Sequence, residues 1–131
     1  MEVCEIKDIV TPVLEKYGTE LVAAYLFGST AGGRVTPLSD IDIALLLAED
    51  AARRSADIRF RLYADLCRAM KRNDVDIVIL NTLSNLIFKD EIVRNAVLIF
   101  DGDAEVREEF ETRTIHACID FRMQRRKAVG F

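Results

Sequence analysis

From residue 40 to residue 47 the chain reads Asp-Ile-Asp-Ile-Ala-Leu-Leu-Leu, and this run constrains the fold more than any other feature. Successive side chains of a β-strand leave opposite faces. Asp40 and Asp42 therefore project from one side of a strand, and Ile41, Ile43, Leu45 and Leu47 from the other. The device recurs in Asp74-Val75-Asp76-Ile77-Val78-Ile79-Leu80, where Asp76 shares a face with Val78 and Leu80, opposite Val75, Ile77 and Ile79. If the two strands pair, the three carboxylates of Asp40, Asp42 and Asp76 converge.

The remaining chain supplies layers around these strands. Cys4 to Tyr17 carries Ile6, Ile9, Val10, Val13 and Leu14 at helical spacing, with Pro12 expected to kink or restart the helix and Gly18 to end it. Leu21 to Phe27 reads as a buried strand and Gly28 to Gly33 as a turn or short helix. A long helix is expected from Ala51 to Arg72, with Ile58, Leu62, Leu66 and Met70 on one stripe, followed by a strand from Val75 to Leu80. Ser84 to Asn95 reads as a helix capped by Ser84, and Val97 to Phe100 as a short strand before the Asp101-Gly102-Asp103 turn. The last helix is expected from Ala104 to Lys127, acidic at its start and basic at its end, as the helix dipole favours. Ile115, Cys118, Ile119, Phe121 and Met123 spread apolar groups over more than one of its faces. Helices alternating with apolar strands predict a layered α/β domain, and leave strand order open.

A length of 131 residues with 50% hydrophobic content suits one packed domain over residues 1–131. No apolar stretch approaches the roughly 20 residues that cross a bilayer. The acidic start, Met1-Glu2-Val3-Cys4-Glu5, has no basic signal region, so a cytoplasmic protein without membrane attachment is expected. Cys4, Cys67 and Cys118 are far apart and form no C-x-x-C pair, which fits a reduced compartment and argues against structural zinc. Any Ser-His-Asp or Cys-His chemistry would depend on His116, the single histidine, which reads as a helix residue with no nucleophile motif beside it. A net charge of −4 and a pI near 5.1 argue against direct DNA binding.

Clustered carboxylates repel and resist ionisation. Magnesium removes the conflict, because it takes carboxylate and phosphate oxygens together, and two such ions can clamp both the attacking and the leaving oxygen of a phosphoryl displacement. Gly28 and Ser29 precede Asp40 with ten residues between. A strand that turns at Gly into a short helix presents N–H groups, with the Ser hydroxyl beside them, to the phosphates of a nucleotide.

Gly28-Ser29 through Asp40-Ile41-Asp42, preceded by Ala24-Tyr25-Leu26-Phe27 and followed by Asp76-Ile77-Val78, resembles the minimal nucleotidyltransferase (MNT) branch of the DNA polymerase beta superfamily, over roughly Ile6 to Arg126. The resemblance implies a nucleotidyltransferase fold with a small mixed sheet flanked by helices. Asp40, Asp42 and Asp76 would hold magnesium, with ATP as substrate, and Asp76 would help orient and deprotonate the attacking hydroxyl. The family run Gly-Ser-x-Ala-Arg-Gly reads Gly28-Ser29-Thr30-Ala31-Gly32-Gly33 here, which leaves Arg34 as the candidate cation for the phosphates. Family members of this size resemble the antitoxin halves of HEPN/MNT toxin–antitoxin pairs, so the implied reaction is transfer of AMP to a tyrosine of a HEPN ribonuclease toxin encoded nearby, within a hetero-oligomer. The alternative is a binding module that neutralises the toxin by occupancy while its nucleotide site is weak or idle.

Overall fold

Four strands, β1 (Leu21–Phe27), β2 (Ile41–Leu47), β3 (Val75–Ile79) and β4 (Val97–Asp101), form one sheet in the order β3-β2-β1-β4 in the computed structural model, which describes residues 3–28 and 40–128. β1 runs antiparallel to both β2 and β4, whereas β2 and β3 are parallel, so the sheet is mixed. A parallel pair needs a crossover. Helix α2 (Ser55–Met70) supplies it.

Each face of the sheet carries two helices. Ile6, Val10 and Leu14 of α1 (Val3–Glu15) and Ile58, Leu62 and Leu66 of α2 pack with Leu26, Ile41, Ile43 and Ile77 on one face. On the other, Phe88 and Ile92 of α3 (Leu86–Asn95) and Phe110 of α4 (Ala104–Ala128) pack with Tyr25, Ala44, Leu46 and Leu80. Coverage on both sides explains why β1 is buried continuously from Leu21 to Leu26 rather than at alternate positions.

Several boundaries differ from the sequence expectation. Pro12 neither kinks α1 into two elements nor restarts it; the helix continues through it to Glu15. An interior proline costs about 3 kcal/mol, while the buried Ile6, Val10, Val13 and Leu14 that flank it are each worth roughly 1.5–3 kcal/mol. Packing wins. α2 starts at Ser55 because a short 3-10 turn, Ala52–Arg54, precedes it, and it ends at Met70, where Lys71 takes a left-handed conformation and returns its N–H to the Cys67 carbonyl. Arg72 therefore lies outside the helix. The cap of α3 is Asn85, whose side chain accepts the Phe88 N–H at 3.1 Å, and Ser84 stands one residue too early.

α4 is pinned to the sheet by its first half. The Tyr25 hydroxyl donates to Glu111 at 2.7 Å, and Arg107 donates to Glu111 at 2.8 Å and to both oxygens of Asp101 at 3.0 and 3.1 Å. Beyond Cys118 every described side chain of the helix is exposed, Ile119, Phe121 and Met123 included. No described helix is long and apolar enough to cross a membrane.

Candidate active site

The carboxylates meet where β1, β2 and β3 run side by side. In the parallel pair Asp42 stands directly opposite Asp76, and on the other side Phe27 stands opposite Asp42. Ile41 donates its N–H to the Asp74 carbonyl at 2.9 Å and so fixes the register at the start of both strands. Asp42 is half-buried, while Asp40, one residue before β2, and Asp76 are exposed. Phe27 and Phe88 of α3 pack edge to face with ring centroids 5.7 Å apart. The structure thus brings Asp42 and Asp76 together as strand neighbours and sets Asp40 at the mouth beside them.

Burial pushes the Asp42 carboxyl above the usual carboxylate range, and the charges of Asp76 and then Asp40 push in the same direction. Such a site is poised for a cation. Gly28 shows how closely the backbone approaches: a Cβ built on it would lie 2.3 Å from Asp42 Oδ2, and its φ of +73° is one that side chains rarely adopt. Only glycine leaves room there for the carboxylate.

Among the described residues no three His, Cys, Asp or Glu side chains form a ready-made ion cage. Magnesium takes one or two carboxylates and completes its shell with phosphate oxygens and water. The hard oxygen donors of Asp42 and Asp76, with Asp40 adjacent, fit that chemistry.

Sequence reasoning passed over Arg72. Its Nε donates to Asp74 Oδ1 at 2.8 Å and its Nη2 to Asp74 Oδ2 at 2.6 Å. These bonds raise the guanidinium pKa, and the charges of Asp74 and Asp40 add to the effect. A cation therefore stands at the rim of the carboxylate cluster. The signal available in the sequence was an arginine two residues before the third strand's first aspartate, hidden by its assignment to α2. Asp74, two residues before Asp76 on the same strand face, has both oxygens engaged by Arg72, and that pairing holds its carboxyl below the usual range. His116 is exposed on α4. Ser29, Gly32 and Arg34 lie outside the described residues.

A family model described as polymerase beta nucleotidyltransferase matches residues 8–105. No curated protein matches the chain. Among solved structures, the chain is similar to one in a crystal structure of a toxin–antitoxin with AMP-PNP, at 28% identity and a TM-score of 0.70, covering 94% of each chain. It is also similar to a chain in the structure of the tri-AMPylated Shewanella oneidensis HEPN toxin in complex with MNT antitoxin, at 25% identity and a TM-score of 0.65, covering 96% of this chain and 93% of that one.

Proposed function

The chain belongs to the polymerase beta nucleotidyltransferase family, and from that premise we propose that it transfers AMP from ATP to a tyrosine hydroxyl of a HEPN ribonuclease toxin encoded nearby, acting as its antitoxin. The observation that carries this reading is the pairing of Asp42 with Asp76 across β2 and β3, with Gly28 packed against Asp42. The relatives add the substrate and the acceptor, an ATP analogue in one and an AMP-bearing HEPN toxin in the other.

Asp40, Asp42 and Asp76 would hold magnesium, two ions in the full complex, which when bound neutralises the charge of the triphosphate. On this reading Gly28 and Ser29 would offer N–H and hydroxyl donors to the phosphates, and Arg34 would add a cation. The acceptor oxygen attacks the α-phosphorus. As its P–O bond forms, the bond from the α-phosphorus to the α,β-bridging oxygen breaks and pyrophosphate leaves with the electron pair. Asp76 accepts the hydroxyl proton and passes it to solvent. Asp76 is the exposed member of the opposed pair, so an acceptor can reach it from outside the sheet.

Incubation with magnesium, ATP labelled at the α-phosphate and the HEPN-type partner should place label on the partner. Asp42→Asn or Asp40→Asn should abolish transfer and weaken Mg-ATP binding. Asp76→Asn should keep most of the Mg-ATP affinity yet transfer about 100-fold more slowly, the contribution of a positioned base. Loss of transfer in Asp74→Asn with retention in Asp76→Asn would reverse the assignment. Gly32 in place of the family arginine favours a second reading, neutralisation by occupancy. Tight partner binding without any label would select it.

A further inference from the structure

We propose that the open edge of β3, with the stripe of α2 beside it, is the docking groove for an extended segment of the acceptor protein, which joins the sheet as a fifth strand and carries its hydroxyl alongside Asp76. The inference rests on the reading of Asp76 as the acceptor-activating carboxylate. Among the described residues β3 is the terminal strand of the sheet, paired on one side by β2. Ile41 donates its N–H to the Asp74 carbonyl, and Leu80 donates its N–H to the Leu45 carbonyl. In a parallel ladder the bonding residues alternate. The even-numbered residues of β3 therefore turn their backbone groups to β2, and Val75, Ile77 and Ile79 turn theirs outward.

Beside this edge Ala56, Arg59, Phe60 and Tyr63, spaced by three, four and seven along α2, form the wall of a groove whose floor is residues 75–77. Phe60 is 73% exposed and Tyr63 39%, an apolar surface next to the catalytic carboxylates. Arg59 donates to the Ile77 carbonyl at 2.9 Å and the Tyr63 hydroxyl to the Asn73 carbonyl at 3.0 Å, so the outward groups these bonds leave for a new strand are the Val75 N–H and carbonyl and the Ile77 N–H.

Alternation in the added strand makes one pose serve both ends. A side chain opposite Asp76 leaves the sheet on the face that carries Asp42 and Asp76, where the nucleotide is read to bind, and its two neighbours leave on the α2 face, over Phe60 and Tyr63. Main-chain bonds would supply affinity and the aromatic wall would select side chains, as in other cases of strand addition. A second copy of this chain is a poor occupant, because edge-to-edge pairing of β3 brings the exposed Asp76 of both copies together, and like charges across strands repel.

The test uses the full chain with its HEPN-type partner. Hydrogen exchange at the N–H groups of Val75 and Ile77 should slow in the complex. Phe60→Glu and Ala56→Arg, both at exposed positions, should weaken partner binding about 10-fold or more, roughly the loss of one interface anchor, and raise KM for the partner with Mg-ATP affinity unchanged. Unprotected edge amides, or variants that bind the partner like wild type, would overturn the groove even if AMP is transferred. Protected amides and weakened variants without AMP transfer would uphold the groove and refute the transferase reading. A partner that fails to bind the wild-type chain refutes both.

Discussion

At Gly28 two demands coincide, a left-handed φ and an empty space where Asp42 Oδ2 sits. Gly28→Ala should cost about 1–3 kcal/mol of stability, the usual range for backbone strain, and should weaken Mg-ATP binding because Asp42 must move. Chemical denaturation and calorimetry would read the two effects. Asp42 itself is a destabilising residue without metal. Its folded pKa is raised, so its favourable contribution is complete below the unfolded value of about 3.9 and is lost as pH rises through the folded value. In chelator Asp42→Asn should therefore be more stable than wild type at neutral pH, and the gap should close toward pH 4; a gap that persists in acid would remove charge as its cause. Asp40 and Asp42 were legible because a period of two needs no partner to be read. The second duty of Gly28 was not, since it depends on the register of β1 against β2.

Among the elements, β2 is finished by a side chain rather than by a strand. Asn81 accepts the Leu47 N–H at 2.8 Å and donates to the Leu47 carbonyl at 2.9 Å, standing where one more residue of β3 would pair. Asn81→Ala should lower stability by about 1–2 kcal/mol, since it strands two backbone groups at a strand end. A denaturant midpoint unchanged within error would show that water replaces the amide. The stripe of Ile58, Leu62, Leu66 and Met70 on α2 was legible from its period and is buried as expected. The cap of α3 was not, because Ser84 and Asn85 are adjacent and both types cap well.

For the molecule as a whole, the order of strands is what pattern alone left open, because the partners of β1 lie on opposite sides of it and far apart in the chain. Tyr25 joins that central strand to α4, and burial, then its bond to Glu111, raise its phenol above the ordinary range. Its stabilising contribution is thus complete below the unfolded phenol's pKa of about 10 and is lost as pH rises toward the folded value. Tyr25→Phe should lose about 1 kcal/mol at neutral pH yet decline less steeply than wild type above about pH 10, in unfolding followed against pH. The alternation along β3 has one last consequence. An inserted or deleted residue in the turn at 71–74 would shift the strand by one place, moving a carboxylate into the core between β2 and α2 and an isoleucine or valine to the nucleotide side. That turn is fixed in length as well as in its Arg72–Asp74 pair, and the changes of length it can absorb come in twos.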